Sequence, residues 1–323
     1  MSKQANSTAI NSFNSNHKDY DQYRPSFAKS FVDPFLAELG LATKVPQSNT
    51  YKMDTSKVIL ELAAGTGKFT RNLVDNGWGN ESDNLIIVEP SSGMLKSFKT
   101  NFPKIRPTNI HNASSYELPL ADSSVDSVLI AQGFHWFSDQ ESLKEINRVL
   151  KPNGTLGLIW NFDYPSPSQN SKTKNVTYIE QQSGLLDKSK LDQNLNPEDV
   201  FLDYFNKAPW SNEISKKIYS YDVGVPQYRH GKWRGALELD REYFDPISGE
   251  LFYAYEYLID RDSIYEYWKT RSYITSLSEK EKIQVKEFIE GVVDKAEEIS
   301  PKKEGKFVRP MATHAVVVPV KKA

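Results

Sequence analysis

The stretch Val58 to Thr70, reading VILELAAGTGKFT, constrains the fold more than any other, because a short apolar run passes straight into a glycine turn without a polar spacer. Val58, Ile59, Leu60 and Leu62 form the nearly continuous apolar run of a central parallel strand covered on both faces. Gly65 and Gly67 let the backbone turn sharply and approach a ligand closely. The first amides of a following helix would then point outward as free donors. A strand, a glycine turn and a helix in that order open an α/β sheet with a ligand at the turn.

Spacing separates three nucleotide readings of the turn. A P-loop requires G-x-x-x-x-G-K-[ST], but Phe69 follows Gly67-Lys68 and Leu62 stands at the upstream glycine position. A dinucleotide fingerprint G-x-G-x-x-G from Gly65 would end on Thr70, which weakens that reading without removing it. The methyltransferase form, an acid near the strand end followed by a G-x-G-x-G-like turn, is met by Glu61, Ala63, Gly65 and Gly67 with Ala63 as the one departure.

Downstream, Leu85 to Val88 reads as a second buried strand ending at Glu89, 22 residues beyond Gly67 (89 − 67). A strand-end carboxylate there can accept both ribose hydroxyls of a bound nucleoside. Pro90 stops the strand, Ser91 can cap the next helix, and Met94 on its first turn can pack against a base. Further strands are expected at Ile105 to His111, Val125 to Ala131 and Thr155 to Trp160, with Pro152-Asn153-Gly154 as the turn into the last of these. The loop holding Ser115 and Tyr116, and Gln132 to Phe137, fall at carboxyl ends of strands, where open α/β sheets bind ligands. The alternation argues for a doubly wound sheet. Before it, Tyr20, Tyr23 and Arg24 form a polar-aromatic cluster suited to a lid, and a helix follows in which Pro34 marks a break or kink.

Composition sets the outer bounds. The chain has 323 residues, 38% of them hydrophobic, a net charge of −2 and no cysteine. That supports a large core, gives no general attraction to nucleic acid, excludes disulfides and thiolate chemistry, and places the protein in the cytoplasm by default. No apolar run reaches membrane-spanning length. The five histidines show no ligand spacing, so no metal site is expected.

The motifs LELAAGTGKFT (60–70), VEPSSGML (88–95), YELPLADSSVDSV (116–128), AQGFHWF (131–137) and RVLKPNGTLGLIW (148–160) together resemble the class I S-adenosylmethionine-dependent methyltransferases. The likeness extends to the trans-aconitate methyltransferase group and its fungal relatives, through YRPSF (23–27) and YRHGKWRGALE (228–238) as well. The resemblance implies a mostly parallel, seven-stranded Rossmann-like sheet with an insertion after the fifth strand. It also implies S-adenosylmethionine as cofactor, held by Tyr23, Glu61, Ala63, Gly65, Gly67, Glu89, Pro90, Met94, Ser115, Tyr116 and Gln132. Tyr116 stands where many relatives carry an acid for the adenine amino group, so adenine recognition would fall to stacking, backbone contacts or Glu117. The expected organisation is a disordered tail at 1–16, a cofactor-binding core with an N-terminal lid helix at 17–163, an insertion and substrate lid at 164–245, and a completion of the sheet and substrate pocket at 246–323. The insertion at 164–196, rich in Ser, Asn, Lys and Asp, is expected to be mobile.

Methyl transfer from a sulfonium needs the acceptor held in line with the methyl carbon, so proximity and orientation can supply most of the catalysis. A carboxylate acceptor is already a nucleophile, whereas a hydroxyl needs a base. His135 is the candidate base, and Arg24 and Arg271 are candidate clamps for an acidic acceptor. The favoured expectation is O-methylation of a small carboxylic acid. Methylation of a phenol, alcohol or lipid, and a nicotinamide-dependent oxidoreductase, stay open as alternatives. Oligomeric state is unspecified.

Overall fold

The computed structural model describes residues 10, 18–80, 82–179, 183–191, 195–239 and 242–321. The expected tail at 1–16 lies outside the described residues except for Ile10. Among the described residues, eight strands cross the main sheet: β1 (Ile59–Leu62), β2 (Leu85–Val88), β3 (Ile110–His111), β4 (Val125–Ala131), β5 (Leu150–Phe162), β6 (Val176–Tyr178), β7 (Gly249–Ile259) and β8 (Lys306–Pro319). Their order is β3-β2-β1-β4-β5-β8-β7-β6, and the two-residue strand Lys302–Lys303 pairs with the start of β8. β1 to β5 are mutually parallel, and β8 runs antiparallel between β5 and β7. The sheet thus exceeds the expected seven strands by β6, supplied by the insertion, and by the pair at 302–303.

Period-two alternation within the strands sends neighbours to opposite faces. Leu60, Val128, Leu158 and Val316 pack under α4 (Gln140–Val149), α5 (Pro197–Asn206) and α7 (Lys232–Leu239). Ile59, Leu129, Ile159 and Val317 pack under α1 (Lys29–Glu38), α2 (Thr70–Asp75) and α3 (Ser92–Asn101). Both faces are covered, so the strands read as continuous apolar runs. Pro34 lies inside α1, which runs unbroken from Lys29 to Glu38.

Two expected boundaries differ. Only Ile110–His111 form β3, because Pro107 opens a 3-10 turn that occupies Pro107–Asn109. Pro152-Asn153-Gly154 do not precede β5 but bulge out of it: Leu150 pairs with Val125, yet the next pairing is Thr155 with Ser127. A proline cannot donate to the ladder, so extra residues are accommodated there.

A third core sits beyond the carboxyl edge of the sheet. β5 ends at Phe162 opposite Ala312, while β7 and β8 continue to the pairing of Ile259 with Phe307. On this extension α6 (Pro209–Tyr219), α8 (Arg261–Lys269) and α9 (Glu279–Ala296) pack through Ile214, Ile218, Ile264, Trp268, Ile289 and Val293. The helical cap therefore overhangs the strand ends where a ligand is expected. The described part of 164–196 is tied down by buried polar groups: Ser168 accepts from Trp233 Nε1 at 3.0 Å and Gln169 Nε2 donates to the Tyr228 hydroxyl at 3.1 Å.

Candidate active site

One cavity runs from the glycine turn to the helical cap, lined by Gly65, Glu89 and Met94 at one end and by Asp163, Tyr267 and Arg271 at the other. At the first end the turn is pinned to β2. Ala63 N donates to Val88 O at 2.7 Å, Gly65 N donates to Glu89 Oε2 at 3.0 Å, and Ser91 N donates to Glu89 Oε1 at 2.8 Å. Burial raises the Glu89 carboxyl to about 7 against the lowering effect of these two amides. Each oxygen keeps lone-pair capacity toward the cavity, so the group can still accept ligand hydroxyls. Gly65 has φ +60 and an added Cβ would meet nothing within 4 Å, so its face opens onto the cavity.

Ala63 and Gln132 also lie on the wall, with φ of 58° and 61°, a conformation that costs a non-glycine residue about 1–3 kcal/mol. Gly133 explains how Ala63 is tolerated beside β4, since a Cβ at Gly133 would stand 3.1 Å from the Ala63 methyl. Pro90, Ser115 and Tyr116 complete this end. The Tyr116 hydroxyl donates to Asp139 Oδ2 at 2.9 Å, and Ser115 Oγ lies 2.7 Å from Ser142 Oγ, so α4 fixes the loop. Glu117 is exposed and off the wall.

Three residues expected to touch the cofactor stand off the wall, each for a physical reason. Glu61 is fully buried beneath the turn, where its Oε2 accepts from Thr70 Oγ1 at 2.7 Å and its Oε1 has no partner among the described residues. Burial raises its carboxyl to about 8. Gly67, at φ +91, serves packing, because an added Cβ would fall 2.1 Å from the Phe102 ring. Tyr23 packs with the cap core, and the segment around it closes over the turn through Asp21, which accepts from Thr66 Oγ1 at 2.9 Å.

At the other end the wall is cationic and aromatic. Arg24 Nε donates to Thr270 Oγ1 at 2.7 Å, and its guanidinium lies 5.0 Å from the Tyr267 ring centre. Among the described residues it has no carboxylate partner. Arg271 Nη2 donates to Asp163 Oδ2 at 2.9 Å, while its buried Nε has no partner among the described residues. Arg309 from β8 donates to the same oxygen at 2.5 Å from behind the wall. Burial would raise the Asp163 carboxyl, but Arg271, Arg309 and the hydroxyls of Tyr219 and Tyr267 outweigh it and hold the group near 2. Arg229 is paired with Asp222.

His135 is also on the wall. Burial, then the charges of His230 and Arg271, depress its imidazole to about 3, and its buried Nδ1 has no partner among the described residues. A group that weakly basic is a poor acceptor for a hydroxyl proton near neutrality.

The sequence reading missed Asp163, Tyr219, Tyr267 and Arg309. Asp163 had a usable signal, an acid immediately after a buried strand at its carboxyl end; Tyr219 and Tyr267 come from cap helices, and Arg309 from a strand whose partner is remote in sequence.

Sheet order, glycine turn and acid-ended second strand are those of an open, mostly parallel α/β sheet that takes its ligand at the carboxyl ends of the strands. Residues 60–158 match the methyltransferase domain family, and the chain carries that domain. An uncharacterized methyltransferase-like protein of Schizosaccharomyces pombe is 34% identical over 183 residues, 57% of this chain and 60% of its own length. An uncharacterized methyltransferase of Mycobacterium bovis is 33% identical over 150 residues, 46% of this chain and 52% of its own. The chain thus spans between half and two thirds of these relatives. A solved structure provisionally described as a type II methyltransferase from Anaeromyxobacter dehalogenans shares the fold at a TM-score of 0.51 and 13% identity, covering 92% of this chain and 97% of its own.

Proposed function

We propose that the protein transfers a methyl group from S-adenosylmethionine to a carboxylate oxygen of a small acidic molecule. The matched domain and the Gly65–Glu89 geometry support the cofactor reading: an open glycine face beside a carboxylate oriented by two amides suits a nucleoside with free ribose hydroxyls. When bound, S-adenosylmethionine supplies an electrophilic methyl on a positively charged sulfur. Glu89 would hold the ribose, Ala63, Gly65 and Gln132 the backbone side of the ligand, and Met94 with Tyr116 the base.

The observation that carries the acceptor reading is charge balance. Arg271 and Arg309 share one carboxylate, Asp163, and Arg24 on the same wall has none among the described residues, which leaves positive charge in excess at a partly dehydrated wall. Such a wall recognises an anion, and guanidinium groups orient a carboxylate well. The weak basicity of His135 suits an acceptor that needs no base. Resemblance to the trans-aconitate methyltransferase group points the same way.

We assign residues 164–245 as the acceptor lid, since Tyr219 and Arg229 reach the wall from it. No described helix is long and apolar enough to cross a membrane. The net charge of −2 favours a small acceptor over nucleic acid, and the cysteine-free composition suits the cytoplasm. Calorimetry with S-adenosylmethionine and with a nicotinamide dinucleotide tests the cofactor. A labelled-methyl screen of small carboxylic acids against their amides tests the acceptor, and transfer to the amides alone would refute it.

A further inference from the structure

Arg309 is 1% exposed and does not line the cavity, yet of the two arginines that donate to Asp163 it makes the shorter contact. It enters from β8, with its guanidinium 4.1 Å from the Tyr267 ring centre and 4.5 Å from that of Trp268, and its Nε donates to Ser211 Oγ at 3.3 Å. Asp163 Oδ2 receives Arg309, Arg271 and the Tyr267 hydroxyl together, and Oδ1 receives the Tyr219 hydroxyl. Without Arg309, Asp163 and Arg271 would form a neutral pair, and an anionic acceptor would compete with a fixed carboxylate for one guanidinium.

We infer that Arg309 is a positioning residue that sets the charge of the acceptor site. It occupies Asp163 from behind the wall and so leaves one unit of positive charge on Arg271 for the acceptor. Among the described residues, the buried Nε of Arg271 has no hydrogen-bond partner. The inference rests on the anionic-acceptor reading and adds to it a residue that never touches the ligand.

The test counts charges. Arg271 and Arg309 against Asp163 give one net positive charge in the wild type, none in Arg309→Gln, two in Asp163→Asn and one in the double variant. Malonate, succinate and glutarate, each beside its diamide, are titrated calorimetrically into protein saturated with S-adenosylhomocysteine. For the acid that binds, Arg309→Gln should weaken affinity by about tenfold, and adding Asp163→Asn should restore it to within about threefold of the wild type. The diamides should not follow this order. A folded Arg309→Gln that binds the acid like the wild type overturns the inference, as does a double variant no better than the single. If Arg309→Gln does not fold, Asp163→Asn should exceed the double variant by about tenfold, and equal affinities overturn the inference. If the wild type binds none of the acids, the anionic-acceptor reading itself falls, an outcome distinct from wild-type binding that is indifferent to Arg309.

Discussion

The two ends of the cavity are built by different means. The cofactor end is made by backbone and strand ends that are near one another in sequence: Ala63 and Gly65 after β1, Glu89 after β2, Ser115 and Tyr116 after β3, and Gln132 after β4. The acceptor end is made by side chains from distant segments, with Arg24, Asp163, Tyr219, Tyr267 and Arg271 converging across up to 247 positions (271 − 24). Backbone geometry repeated along a sheet offers a fixed site for a constant ligand, whereas converging side chains can be exchanged to suit a variable one.

If that division is right, damage at one end should spare the other. The largest effect is expected from Gly65→Val, which forces a β-branched residue to φ +60 and fills the open face: cofactor affinity should fall by more than about a hundredfold by calorimetry. Next, Arg24→Ala and Arg271→Ala should each lower kcat/KM for the acceptor by about 2 kcal/mol or more, roughly thirtyfold, with cofactor affinity little changed. His135→Ala should be milder, and the reverse ranking would indicate a hydroxyl acceptor. Glu89→Ala should cost about 1–3 kcal/mol of cofactor binding by leaving two ligand hydroxyls poorly paired, and unchanged affinity would refute the ribose assignment.

Two smaller effects sharpen the contrast through pH. The Glu89 carboxyl is raised to about 7 by burial, and hydroxyl donors favour its ionised form. Cofactor affinity should therefore be full at alkaline pH and fall below about 7, by up to roughly tenfold per unit, with the dependence lost in Glu89→Gln. Glu61 has a folded-state value raised from 4.5 to about 8, so the folded state holds a proton that the unfolded state releases. Its contribution is fully present below about 4.5 and is lost as pH rises to about 8. Glu61→Gln should flatten the decline of Tm across that window, and a parallel decline would show that Glu61 is ionised despite its burial.

The same division explains what could be read from the sequence. β1, β2 and β4 were legible because a strand buried on both faces leaves a mostly apolar run, and Gly65 and Glu89 because the turn and strand end impose a spacing. Gly67 carried the same motif signal, but only packing against Phe102 shows that it faces inward. Glu61 likewise could not be separated from a ligand contact until Thr70 was placed above it. The acceptor end was legible only as scattered arginines. Arg309 sits in a strand whose neighbours are almost all buried, and nothing local marks a charge there as functional until Asp163 is brought within 2.5 Å by the pairing of β5 with β8.

The most direct test of the central claim is the chemistry of the product. Protein incubated with methyl-labelled S-adenosylmethionine and a panel of small carboxylic acids, phenols and alcohols should yield label that mild alkali releases as methanol, the behaviour of a methyl ester. That yield should depend on Arg24 and Arg271 and survive loss of His135. Alkali-stable label on a phenol or alcohol, abolished by His135→Ala and indifferent to both arginines, would contradict the account.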